Sequence, residues 1–498
     1  MLTTLRSILL ATVLLALPTI ALGARHDTWV EVRSPNFIVV SNAGEKDARK
    51  AAVQFEQIRS LFRSVISIAN KGPSPVITIL AVKDEASMRE LFPEFWAKGH
   101  AHLAGIFFSR LGQFYAAVQL DAPGDNPYEI LYHEYYHSLT VPYFPSLPVW
   151  LAEGLAEFFQ HTHIRGKEAS TGEASADLIE ELKQNRLIPL DVLFSVDHKS
   201  PYYNEQNKTS VFYAESWALT HYFMLADNGA HRPLLSNYLA SLGQGASEEE
   251  AAAKAFGDLG TLKKALDRYT SSYEFYELKT VAPPTIPDSE LQARELSEAG
   301  IDAYLGGVAA SRGHTQEARP LLADAIRLDP NLALAYQNLA LAELFDGQSS
   351  EALTSVSQAI SLDPKNYLTR YLRAYLAIHN ARAERFDPQV EDDLRQSIAA
   401  SPDFAPSYDL LATLILSEER LPEALSLAKK AVSLEPGVSP YWVGLAQILG
   451  QMHSYNDAMI AARRARAAAR TPEEQDRADA VMGILEGMRT GTGQLQPK

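Results

Sequence analysis

The chain of 498 residues contains no cysteine. Disulfides, a thiol nucleophile and thiolate metal ligands are therefore excluded, and any transition metal has to be held by nitrogen and oxygen. Positive charge is also short, with 45 lysines and arginines against 61 acids and a formal net charge of -16. A surface of that sign repels nucleic acid and anionic lipid, so neither is expected as a main partner. Beyond the first two dozen residues no apolar run reaches membrane-spanning length, and no span is expected in the mature chain.

Those first residues have their own pattern. Arg6 precedes a largely apolar stretch from Ile8 to Leu17, Pro18 interrupts it, and Ala21-Leu22-Gly23-Ala24 puts small residues at cleavage spacing. This is the pattern of a secretory signal peptide over residues 1–24, too short for an anchor and lacking the cysteine of a lipoprotein. The expectation is an exported protein, periplasmic or secreted.

What the chain does have is His133-Glu134-Tyr135-Tyr136-His137, followed by Trp150-Leu-Ala-Glu153-Gly-Leu-Ala-Glu157. Histidines at i and i+4 lie on one helix face, so His133 and His137 can aim at one metal ion, with Glu134 beside it to take a proton from water held there. Glu153 would supply the third ligand from a second helix. Chance alone would give the first motif about 0.04 times in a chain of this length and composition, which is low but not negligible, and the Glu-Gly pair on a second apolar helix lowers that much further. The implied cofactor is one Zn2+.

Short alternating runs at Trp29–Val32, Phe37–Ser41, Val76–Val82 and Phe114–Leu120 read as strands, and Glu45–Ile66 as a helix. Helical patterns dominate after Pro127, which predicts an α+β domain over 25–280 whose sheet backs onto the metal-bearing helices. Ala-Pro-Pro-Thr-Ile-Pro-Asp breaks both periodicities, so 281–290 reads as a linker.

A repeat then takes over. Asp329-Pro330, Asp363-Pro364, Ser401-Pro402 and Glu435-Pro436 are separated by 34, 38 and 34 residues, each proline ending an amphipathic helix. Tyr336, Leu339, Ala340, Ala352 and Ala359 take the large and small positions of a tetratricopeptide repeat. The set recurs from Tyr408 and from Trp442, with an earlier unit marked by Leu305, Gly306, Ala318 and Ala325. The unit beginning at Asp363 departs from the pattern, with Arg370 and Arg373 at core-like offsets and extra residues around Arg385 to Pro388, where a loop is expected. An all-α solenoid is thus predicted over 291–470, with a capping helix and tail over 471–498, and its concave side is expected to receive protein or peptide.

The segments Tyr128–His137 and Leu147–Phe159 resemble the gluzincin metallopeptidases, especially the bacterial peptidase-MA-like proteins, and the resemblance covers roughly residues 28 to 270. It implies a zincin-like fold with zinc on His133, His137 and Glu153, and Glu134 as general base. Glu157, one turn beyond Glu153, would orient a zinc-bound histidine through its free nitrogen. Tyr213 falls where aminopeptidase-N-like enzymes carry the tyrosine that steadies the oxyanion, with His221 as the alternative donor. The strand at Phe114–Asp121 would run along the cleft and pair with the substrate backbone. The Gly-x-Met-Glu-Asn element that holds a free amino terminus is missing, so the resemblance implies an endopeptidase. His161 and His163 read as surface residues continuing the Glu153 helix. Two other functions fit the sequence: an inactive scaffold acting through its repeats, and a zinc hydrolase of a non-peptide amide.

Overall fold

The computed structural model describes residues 27–65, 76–97, 103–124, 126–144, 147–197, 199–203, 210–380 and 387–490. The signal peptide expected at 1–24 and the loop expected at Arg385 lie outside them. Among the described residues no helix is long and apolar enough to cross a membrane.

Five strands near the amino terminus carry the first layer: β1 (Val30–Arg33), β2 (Phe37–Ser41), β3 (Ile77–Val82), β4 (Gly105–Arg110) and β5 (Gln113–Gln119). β2, β3 and β5 run parallel, whereas β4 is antiparallel to β5 and forms one edge of the sheet. The strand expected to line a cleft, Phe114–Asp121, is therefore internal, and the edge belongs to β4, which the sequence pattern does not reveal.

Both faces of this sheet are covered, which is why its central strands are almost continuously apolar. One face, with Val32, Phe37, Val39, Ile79 and Val118, packs on α1 (Glu45–Val65) and, beyond α2 (Glu85–Leu91), on α3 (Glu129–Thr140). The opposite face, with Val40, Leu80, Val82, Tyr115 and Ala117, packs on a helix from the repeats. The chain continues through α4 (Val149–Gln160) and a small sheet containing β6 (His163–Arg165), β7 (Glu168–Thr171) and β8 (Leu278–Val281). Between β7 and β8 lie α5 (Ala176–Gln184), α6 (Leu190–Phe194), α7 (Val211–Gly229), α8 (Arg232–Gly243), α9 (Glu248–Phe256) and α10 (Leu259–Ser271).

The segment read as a linker is a strap. The Ala282 amide donates to Lys167, the carbonyl of Pro283 accepts from Gln57, and β9 (Gln292–Glu295) pairs with β1 as the sixth strand of the main sheet. The α+β domain consequently ends after residue 295 rather than at 280. A polar strand such as Gln-Ala-Arg-Glu carries no apolar alternation, so nothing in its composition announces it.

The repeats are α11 (Glu298–Ser311) with α12 (Thr315–Leu328), α13 (Ala333–Phe345) with α14 (Ser349–Leu362), α15 (Tyr367–Asn380) with α16 (Pro388–Ala400), α17 (Ala405–Ser417) with α18 (Leu421–Leu434), and α19 (Ser439–Gln451) with α20 (Tyr455–Ala468). α21 (Pro472–Thr490) closes the stack. Each expected proline lies just past the end of α12, α14, α16 or α18. Small residues permit the close pairing: at Gly306 a Cβ would come 2.6 Å from Leu322 Cγ. The irregular third unit is held by charge, with Arg370 and Arg373 both bonded to the buried Asp393 (3.0, 2.6 and 2.6 Å).

The first repeat helix is also part of the α+β domain. Every residue of α11 from Ala299 to Ser311 is buried, and Ile301, Tyr304, Leu305 and Val308 cover the second face of the sheet.

Candidate metal centre

The site is built on α3 and α4. Asn126 accepts from the Tyr128 amide just before α3 and helps start the helix (3.1 Å). Tyr132, Tyr135 and Tyr136 face the core, where Tyr135 stacks on Phe62 and Tyr136 on Phe159 at ring separations of 6.3 and 5.0 Å. Packing that face turns His133 and His137 toward α4. Glu134 is partly exposed on α3 between them.

α4 begins after Pro148 and presents Glu153 to both histidines. At that position the helix needs glycine on its other side: a Cβ at Gly154 would collide with Ser216 O and Thr220 Oγ1 of α7. The Glu-Gly pair thus divides its work, with Glu153 facing α3 and Gly154 letting α7 approach.

Three ligand atoms form a compact triangle. His133 Nε2 and His137 Nε2 are 3.3 Å apart, and Glu153 Oε2 lies 3.2 Å from the first and 3.5 Å from the second. Tetrahedral geometry with zinc–ligand distances of about 2.0–2.1 Å requires ligand–ligand edges of about 3.3–3.4 Å, so the three residues fit such an ion without rearrangement. His133 and Glu153 are buried. Burial works against the Glu153 charge, but the two imidazoles outweigh it and hold the carboxyl well below its usual range. Among the described residues these are the histidines and acids whose ligand atoms converge in this way.

Glu157 lies on the opposite side of the His133 ring, with Oε1 3.4 Å from Nδ1. That is ion-pair distance, and it is the placement expected of a group that orients a ligand histidine.

The remaining candidate residues lie in differing surroundings. Tyr213 is fully buried near the start of α7, its ring 6.2 Å from that of Tyr203. Tyr203 is the phenol beside the ligand set, its hydroxyl 3.4 Å from Glu153 Oε1 and its side chain half-buried. Sequence reasoning misses it because it stands in a polar loop stretch with no helical period to place it. His221 is a core residue: Nδ1 meets Tyr269 Oη at 2.7 Å, Nε2 meets the Tyr276 carbonyl at 2.9 Å, and burial pushes its pKa down to about 4. It is unsuited as an oxyanion donor. His161 is not a surface residue either. It caps α4, is buried, and places Nδ1 3.2 Å from Glu129 Oε2, while His163 lies on β6 with Nε2 3.2 Å from Glu173.

Comparison with known proteins adds two matches within the chain. Residues 133–238 match a family described as a protein of unknown function (DUF1570), a span that begins at His133 and includes Glu153, Tyr203 and Tyr213. Residues 333–366 match the tetratricopeptide repeat, in agreement with the helix pairs, and the carboxy-terminal region is an all-α tetratricopeptide solenoid. No curated protein matches.

Similar solved structures include pilF of Pseudomonas aeruginosa (18% identity, 40% of this chain and 94% of that one, TM-score 0.33). A thermophilic TPR protein of Thermus thermophilus is similar at 17% identity, over 37% of this chain and 100% of that one, with a TM-score of 0.32. MamA of Desulfovibrio magneticus is similar at 20% identity, over 37% and 97% of the two chains, with a TM-score of 0.30.

Proposed function

We propose that this chain is an exported zinc-dependent peptidase of the gluzincin type. The observation that carries the proposal is the triangle of His133, His137 and Glu153 atoms, whose edges of 3.3, 3.2 and 3.5 Å match a tetrahedral zinc site. Zinc held there would supply Lewis acidity, polarising a peptide carbonyl and making water a usable nucleophile near neutral pH.

The chain's own residues then have separable tasks. Glu134 accepts the proton of the attacking water and delivers it to the departing amine as the C–N bond breaks. Glu157 fixes the orientation of His133. The oxyanion needs a neutral donor, and Tyr203 is better exposed for that task than the buried Tyr213. The outer edge of β4, with which no other strand pairs among the described residues, offers backbone groups to an extended peptide, a mode of binding that demands few particular side chains. The repeats contribute protein–protein contact, as such arrays do.

The test is metal content by elemental analysis of the purified chain, of His133→Ala and of Glu153→Ala, with casein cleavage measured on the same preparations. Near-stoichiometric zinc lost in both variants, with chelator-sensitive cleavage, supports the proposal. No zinc under metal-replete conditions overturns it. Zinc without cleavage of casein or of other unfolded proteins favours the scaffold, and cleavage confined to cell-wall fragments favours the non-peptide hydrolase.

A further inference from the structure

The hairpin that joins β4 to β5 has an unusual tip. Arg110 pairs with Gln113, leaving Leu111 and Gly112 as a two-residue turn in which both have positive φ, +46° and +80°. Turns of this hand favour asparagine or aspartate followed by glycine, because a leucine side chain is strained there. Such strain persists only where surrounding structure over-determines it.

The surroundings are the repeats. Leu111 packs against one apolar cluster containing Leu322 and Leu341, with Phe345 beside it, and against a second containing Leu372 and Leu376. The Arg110 guanidinium lies 4.8 Å over the Phe345 ring. Gly112 sits so close to Phe404, just before α17, that a Cβ would come within 2.7 Å of Cζ, and Leu368 of α15 would be 3.1 Å away. One turn thus packs against clusters drawn from successive units and against Phe404 at the start of α17. A second grip lies at the exit of the metal helix, where Gly437, before α19, donates its amide to the Pro142 carbonyl at 2.7 Å.

We propose that the inner side of the repeat array is a receptor for the chain's own β4–β5 hairpin, with Leu111 as the plug. This cis-docking fixes the edge strand beside the metal helix, against which Gly105 abuts at Ile130 and Leu131. The groove expected to recruit partners is, along this stretch, already filled from within. Leu111 is a positioning residue: it acts on a substrate only through β4, and that part of the inference rests on the peptidase proposal.

The sign of one substitution tests the docking. Leu111→Asn suits the left-handed turn better than leucine does and removes only the plug. If the tip is held by its own turn, amide hydrogen exchange of 105–119 in the full chain stays the same or slows. If the repeats hold it, exchange there accelerates at least tenfold while β2 and α1 are unchanged, and Phe345→Ala on the receptor side does the same. Protection retained in both variants overturns the docking.

The positioning step is read separately. With zinc content unchanged, Leu111→Asn should raise KM for an extended peptide about tenfold and leave kcat within twofold, whereas an unchanged KM overturns positioning. Should the wild-type chain cleave nothing, the peptidase proposal and the positioning step fall together, and the exchange result still decides the docking.

Discussion

Arg294 grips Glu31 with two parallel bonds of 3.0 and 2.9 Å, joining β9 to the first strand of the sheet. The Tyr304 hydroxyl of α11 donates to the same carboxylate at 2.6 Å, and Arg33 adds a bond of 2.6 Å. One buried acid therefore gathers β1, β9 and the first repeat helix.

The pH dependence of this junction has a definite sign. Burial works against the Glu31 charge, but the two arginines and the tyrosine hold its pKa down at about 2 from the usual 4.5. A depressed carboxyl contributes stability above about pH 4.5 and loses it as pH falls through about 2. Thermal melts should show Tm dropping across that window, and Glu31→Gln should flatten the drop while costing about 2 kcal/mol at neutral pH.

Glu215 on α7 should behave in the opposite way. It is fully buried and accepts from the Ile188 amide, yet burial dominates and pushes its pKa up to about 8. The stability it contributes is complete below about pH 4.5 and is lost as pH rises through about 8. Glu215→Gln should therefore reduce the loss of Tm between pH 5 and pH 9, leaving the acid limb governed by Glu31.

In the third repeat, Asp393→Ala strands Arg370 in the buried space between α15 and α16. Removing one member of a buried pair typically costs about 3–5 kcal/mol, and urea unfolding should show a loss of that order. A loss under about 1 kcal/mol would mean that the arginines find solvent without Asp393.

Two substitutions near the proposed metal centre separate its supporting groups. Glu157→Gln should weaken zinc binding about 10- to 100-fold in competition with a chelator, since His133 loses its orienting partner. Tyr203→Phe should lower kcat about 100- to 1,000-fold with zinc retained, whereas Tyr213→Phe should change kcat by less than about tenfold. The reverse order would return the oxyanion role to Tyr213.

The convergence of His133, His137 and Glu153 was legible because their spacing is helical. His133 and His137 are one turn apart, and Glu153 lies on the next helix, so local periodicity carries almost the whole geometry. The repeats were legible for a similar reason, as each alanine and proline recurs within one short unit. β4 and β9 were not legible. Gly-Ile-Phe-Phe-Ser-Arg shows no clean alternation, and its turn is Leu-Gly rather than a recognisable hairpin pair. Gln-Ala-Arg-Glu is polar because it lies at a sheet edge. Tyr203 and His161 owe their positions to contacts across the fold, with Glu153 and Glu129 respectively, and no sequence period encodes such a contact.

The pairing of β1 with β9 also sets an order of events. β1 is made early, but its outer neighbour arrives some 260 residues later, and the helix that covers the sheet's second face is later still. Contacts so distant in sequence form slowly and leave apolar surface open in the meantime. The amino-terminal half therefore cannot reach its final form until the chain as far as residue 311 is present, and a fragment ending at residue 280 should collapse without closing. Synthesis runs from one end to the other, but assembly of the two halves is a single event.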